Sequence, residues 1–199
     1  NKMFATVVDI PDMPIAELAN TIKYQAEQYV PMSLDEAKID WAVLGKSIND
    51  QTKNEVLLAS VANSFTEARL DLVESVGLNV IAIEPDSLAL TRSLIAPGMQ
   101  GAQVLIDVGD VSTDIVVTYG EAPRLIRSIP IGMQSLVKAA MQNLNIQENQ
   151  ASQFILKFGV YPDRLEGQIV RALEANLEQF SVEITKSIKF FQTKYPSAP

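Results

Sequence analysis

The chain has 199 residues, 47% of them hydrophobic and 20% charged, with a formal net charge of −8. This is a globular composition, large enough to bury a substantial core in one or two domains. The acidic balance, without any run of Lys and Arg, argues against a nucleic-acid surface, and no nucleic-acid partner is expected. Cys and His are both absent, which excludes Ser–His and Cys–His nucleophile pairs, thiolate or imidazole zinc sites, and disulfides. The metal to expect is therefore hard and oxygen-ligated, such as magnesium. No stretch reaches the ~20 apolar residues that span a bilayer and no signal peptide is evident, so a cytoplasmic location is the simplest expectation. The opening at Asn1 in a strand pattern, and the close at Pro199 just after a long helical pattern, read as trimmed ends.

In chain order, Phe4 to Ile10 is β-branched and predicts a strand that Pro11 stops. Ile15, Leu18, Ala19, Ile22, Ala26, Tyr29 and Val30 then recur at helical spacing, with Pro14 suited to the first turn and Pro31 ending the pattern. Ile39 to Leu44 and Val56 to Val61 predict two strands joined through a loose polar tip between Lys46 and Asn54. Ser64 to Glu67 has the capping-box pattern, followed by an apolar face of Ala68, Leu72, Val73 and Val76 and a stop at Gly77. Asn79 to Ile83 predicts a further strand. The order β-α-β-β-α-β describes a sheet covered by two helices.

Glu84-Pro85 leads into a short helix from Ser87 to Ile95, and Ala96-Pro97-Gly98 marks a boundary. Beyond it, Val104 to Val117 (VLIDVGDVSTDIVV) predicts a hairpin whose apex carries the Asp107 carboxylate, a glycine and hydroxyls. Such an apex can offer backbone N–H groups to a phosphate and a carboxylate to its metal; an ordinary surface hairpin has the same pattern. A strand at Arg124 to Ile129, a helix carrying Leu136 to Leu144, and a shorter helix from Glu148 to Phe158 stopped by Gly159 follow. Leu165, Ile169, Leu173, Leu177, Phe180, Ile184, Ile188 and Phe191 then form one apolar stripe on a helix roughly 40 Å long. Its flanking charges are too irregular for a coiled-coil seam, so the stripe is expected to pack into a core.

Asp107, Gly109, Ser112, Thr113 and Asp114 match the second phosphate-binding hairpin of the actin-like ATPase superfamily, and nearly the whole chain resembles its PilM family of type IV pilus assembly proteins, relatives of FtsA. The resemblance implies an α/β, partial actin-like ATPase fold: a 1C-like subdomain over residues 1–83, an interlobe connecting helix over 84–97, a 2A-like hairpin subdomain over 98–146 and the start of a helical 2B-like subdomain over 147–199. It also implies that Asp107 is the catalytic, metal-side carboxylate and that Glu84 holds magnesium through water, although an acid that simply favours the helix start has the same position. Gly109, Asp110, Ser112 and Thr113 would then face the terminal phosphates of ATP, and Glu183 and Lys186 its ribose and adenine; a surface i,i+3 ion pair gives the last two the same spacing.

Three departures stand out. Asp110 occupies a Gly or Ala position, where a carboxylate repels phosphate. Met133 follows Gly132 where the family often has a second glycine. The first phosphate hairpin and the adenosine loop lie outside this chain, so ATP and magnesium are expected only in the intact parent. The implied role is a nucleotide-binding scaffold with weak or no ATPase activity, peripheral to the inner membrane. It would bind the cytoplasmic tail of a PilN-like membrane protein and other pilus assembly proteins, with homo-oligomerisation left open. The alternative is an active ATPase or phosphotransferase.

Overall fold

The computed structural model describes residues 3–198. Its elements run β1 (Met3–Pro11), α1 (Ile15–Tyr29), a 3₁₀ turn (Leu34–Glu36), β2 (Ala37–Lys46), β3 (Lys53–Ala62), α2 (Asn63–Ser75), α3 (Asp86–Leu94), β4 (Ala102–Val108), β5 (Thr113–Tyr119), β6 (Ala122–Ile129), α4 (Met133–Leu144), α5 (Glu148–Phe158), a second 3₁₀ turn (Arg164–Gly167) and α6 (Gln168–Lys194). The strands form two three-stranded sheets, ordered β1-β3-β2 and β4-β5-β6. Packing divides the chain into two units. Unit one comprises Asn1–Gln103, Val116–Ile126 and Lys194–Pro199, and unit two comprises Val104–Ile115 and Arg127–Thr193. Among the described residues no helix is long and apolar enough to cross a membrane.

In unit one, β3 pairs antiparallel with β1 on one side and β2 on the other. Because side chains alternate along a strand, the sheet has two distinct faces. On the first, Val8, Ile10, Val56 and Leu58 pack with Leu18 and Ile22 of α1, and Met13 and Trp41 border the cluster. The spacing of Leu18, Ile22 and Ala26, four apart, puts all three on the buried stripe of α1. Truncating one of these large side chains, such as Leu58, costs about 2–5 kcal/mol.

The tip between β2 and β3 is tied down, contrary to the loose turn expected. Buried Ser47 accepts from the amides of Asn49 and Asp50, and Asp50 accepts from both the amide and hydroxyl of Thr52. Three further expectations for this unit are corrected. The capping box at Ser64 does not form: the N-cap is Ala62, two residues earlier, and the helix starts at Asn63 with no side-chain cap. Leu72 and Val76 are exposed, and Thr66 is the buried residue of α2. Residues 79–83 form no strand, because a β-segment needs a neighbouring backbone to take its N–H and C=O groups, and Ile81 stands 93% exposed.

The second sheet face carries charge. Glu55 is 0% exposed, and Arg124 of β6 places its Nε 2.7 Å from Glu55 Oε2. Tyr195, buried as well, hydrogen-bonds to the same carboxylate. Beside it, Lys194 Nζ donates to the Val7 carbonyl at 2.7 Å, and Asn49 Nδ2 donates to the Lys194 carbonyl at 2.6 Å. Burial pushes the Lys194 ammonium below its ordinary range against the pull of Asp9 and Glu55. Burial, reinforced by the charge and hydrogen bond of Glu55, pushes the Tyr195 phenol far above its own.

In unit two, Val137, Ala140, Ala151, Ile155, Ile169 and Leu173 bring α4, α5 and α6 together, with Leu177 alongside. A second cluster joins Ile115, Ile129 and Ile131 to Phe180 and Ile184 of α6. The stripe of α6 thus packs into a core, as its spacing predicts. Leu165 is the exception: it lies in the 3₁₀ turn with φ 45°, 40% exposed, because left-handed backbone at 165–167 separates it from the helix. Gly159 ends α5 as expected.

The shift at Tyr195 fixes a pH dependence. A phenol kept neutral by the fold favours the folded state fully below pH 10.0, its ordinary value. Above that the unfolded chain ionises and the folded one does not, so stability falls by up to about 1.4 kcal/mol per pH unit. Lys194 acts in the opposite sense, its cost being relieved as pH rises toward 10.5. Urea unfolding at pH 9 and pH 11 is expected to show a smaller alkaline loss in Tyr195→Phe than in the native protein.

Candidate functional site

The hairpin apex between β4 and β5 is built by backbone contacts. Gly109 N donates to Ser112 O at 3.0 Å, and a Cβ on Gly109 would lie 2.8 Å from that same oxygen. The start of α4 is pressed against the apex: Met133 N donates to Gly109 O at 3.0 Å and Gln134 N to Asp110 O at 2.9 Å. A Cβ on Gly132 would sit 2.6 Å from Asp110 O. Gly132 N donates to Ser135 Oγ, which closes the first turn of the helix. Met133 turns into the helical core of unit two.

Asp107, near the end of β4, is exposed, and Ser112 is half-buried at the apex. The Thr113 hydroxyl is buried and donates to Ile131 O at 2.7 Å, so it braces the base of the hairpin. Asp110 is held off by its neighbours: its carboxylate accepts from Gln134 Nε2 at 2.7 Å. It also stands by the positive end of the α4 dipole. Gln134, which no sequence motif marks, therefore fixes the orientation of the carboxylate that sets this turn apart.

Glu183 and Lys186 are brought together on α6, with Nζ 2.8 Å from Glu183 Oε1. Arg127 of β6, also missed from sequence, reaches Glu183 Oε2 at 2.5 Å and Ser187 Oγ at 3.4 Å. The Lys186 hydrogen bond, aided by the Arg127 charge, holds the Glu183 carboxyl below its ordinary range. Hairpin and ion-pair cluster belong to one unit, joined through Ile115, Ile129 and Ile131 against Phe180 and Ile184. Glu84 belongs to unit one, where Arg92 grips it through two 2.8 Å bonds. Among the described residues, no three acidic side chains cluster in a way that could hold a metal ion.

Unit one carries a groove of about 820 Å³. Its floor is the second sheet face, where Asp40 and Ala42 of edge strand β2 lie beside Leu57 and Ala59 of β3. Phe65 and Arg69 of α2 form one wall, the Arg69 guanidinium lying 3.3 Å from the Phe65 ring centroid. Ile83 to Asp86 form the other. Small floor residues and an edge strand make a trough that admits an extended chain. No sequence signal distinguishes Ala42 and Ala59 as floor, because alternation assigns a face but not what covers it.

The Gly132 contact yields a prediction. Gly132→Ala is expected to displace the hairpin apex and destabilise unit two by about 1–3 kcal/mol. Chemical-shift changes at Asp110 and Val111, beside a lowered urea midpoint, would register it.

The sequence pattern of the family described as "Type IV pilus assembly protein PilM" matches residues 9–198. Among solved structures, a chain of the "PilM-PilN type IV pilus biogenesis complex" is similar, with 20% identity and a TM-score of 0.77 over 96% of this chain and 56% of that one. The ethanolamine utilization protein EutJ from Carboxydothermus hydrogenoformans is similar over 65% of this chain and 44% of its own, with 20% identity and a TM-score of 0.52. The chain thus spans little more than half of the PilM chain it matches, and its α/β architecture is part of an actin-like ATPase fold. With the matched pattern covering nearly its whole length, the chain belongs to the PilM family of type IV pilus assembly proteins.

Proposed function

We propose that this chain supplies the partner-binding part of a type IV pilus assembly scaffold, its groove in unit one taking the extended cytoplasmic tail of a PilN-like inner-membrane protein. The observation that carries this reading is the groove itself. It has an apolar floor of Ala42, Leu57 and Ala59, an edge strand able to add main-chain hydrogen bonds, and charged rims at Asp40, Arg69 and Asp86. Those are the requirements for strand addition, in which backbone pairing supplies affinity and alternate pockets supply specificity. The solved PilM relative is a complex with PilN, which supports the choice of partner. On this reading the protein works on the cytoplasmic side of the inner membrane and is held there through its partner.

The hairpin supports a second, subordinate element: part of an ATP–magnesium site in the whole protein. At Gly109 and Gly132 a Cβ would strike backbone atoms of the turn, and this close packing holds the apex in the one geometry that would be presented to a phosphate. Ser112 and the apex amides would hold the phosphates, Asp107 would orient water around the metal, and Glu183 and Lys186 would face the nucleoside. Magnesium bound there would supply charge neutralisation for the phosphates. The Thr113 hydroxyl serves the hairpin's own geometry. Exposed Asp107 favours the alternative of an active ATPase only if turnover depends on it.

Calorimetric titration of the whole protein with a synthetic PilN-like tail peptide tests the reading. The native protein is expected to bind, and Ala42→Phe, which fills the floor from the edge strand, to weaken binding at least tenfold without lowering thermal stability. Unchanged affinity in that variant would rule the groove out. Rapid Mg-ATP hydrolysis abolished by Asp107→Asn would favour the enzyme instead.

A further inference from the structure

The second face of the β1-β3-β2 sheet serves two purposes along a single strand. Glu55, Leu57 and Ala59 alternate onto it; the last two floor the groove, and Glu55 is sealed under Arg124 and Tyr195. At about 3.4 Å per residue, Leu57 and Ala59 lie about 7 and 14 Å along β3 from the buried carboxylate. The cover over Glu55 comes partly from the end of α6. Lys194 is the last residue of that helix and Tyr195 follows it, both within unit one. Lys194 is fastened twice, through Nζ to Val7 O of β1 and through its own carbonyl to Asn49 in the β2–β3 turn. All three strands of the sheet, or the turn joining two of them, therefore hold this one short segment.

We propose that the Glu55–Arg124–Tyr195 cluster, with Lys194, is a latch through which the end of α6 sets the alignment of β2 and β3 beneath the peptide groove. This rests on the groove being the partner site. The physical reason is the cost of uncovering a buried, hydrogen-bonded charge. If the segment shifts, either β3 moves with it or Glu55 loses the Tyr195 hydrogen bond and the cover over its ion pair with Arg124, and losing a hydrogen bond to a buried charged group is disfavoured. Tight packing offers no gradual alternative, so a displacement is passed on or the cluster breaks. Asp9 and Glu55 as the facing anions, and Arg124 and Lys194 as the cations, balance within the cluster. Arg124 remains to neutralise Glu55 when the helix end is altered, which lets the latch be loosened without opening the core.

Hydrogen exchange of the whole protein without ligand, read by mass spectrometry, tests the latch independently of any partner. Tyr195→Phe and Lys194→Met are expected to raise exchange at least fivefold at residues 57–61 and 40–42, with α4 unchanged as an internal control. Lys194→Arg, which keeps the cation, should stay near native. Tail-peptide affinity should fall at least fivefold in the first two variants. Faster exchange confined to residues 194–198, with native rates in the groove strands, would overturn the latch. If the native protein failed to bind the peptide, the groove assignment would fall by itself, and the ligand-free exchange would still decide whether the helix end controls the sheet.

Discussion

A carboxylate without solvent dictates much of this fold. Glu55 sits on the central strand of the first sheet with no exposure, where an isolated charge is untenable. Its position obliges Arg124 to reach it from β6 and Tyr195 to close over it from beyond α6. Three segments distant in sequence are thereby committed to one place. A hydrophobic residue at position 55 would hold them by area alone, and area is indifferent to small slides. Charge fixes the register as well as the contact.

The hairpin obeys a different constraint, that of backbones too close for side chains. At Gly109 and Gly132 the neighbouring carbonyls occupy the space a Cβ would need, and the first amides of α4 are spent on the apex carbonyls. The turn and the helix start are consequently one rigid piece. A ligand at such an apex meets a surface already organised, with little ordering left to do on binding. Asp110, out of character for a phosphate turn, is held by a hydrogen bond from Gln134. The groove solves the reverse problem: small side chains on an edge strand leave room for another chain's backbone.

Much of this was legible in the residues and their spacing. The α6 stripe from Ile169 to Phe191, the one-sided α1, the Asp107–Asp114 hairpin and the stops at Gly77 and Gly159 follow from periodicity and turn chemistry, which are local. What failed was local reasoning applied to non-local outcomes. Residues 79–83 have the composition of a strand, but a strand exists only with a neighbour. The Ser64 pattern is a proper capping box, yet α2 already begins at Asn63, directly after β3. Leu72 and Val76 share a helix face and remain exposed. At the site, Asp107 and Gly109 announced themselves through motif spacing. Arg127, Gln134, Glu55 and Arg124 did not, since each matters only for a partner that folding brings to it.

One residue places an optical probe in a useful position. Trp41 is the single tryptophan of the chain, and it borders the apolar cluster of Val8, Ile10, Val56 and Leu58, while its neighbours Asp40 and Ala42 point to the opposite side of β2. Trp41 also lines the groove, so indole emission reports both on the α1-covered side of the sheet and on anything lying in the trough. A saturable spectral change on adding a non-fluorescent guest would therefore serve as an optical titration of the trough.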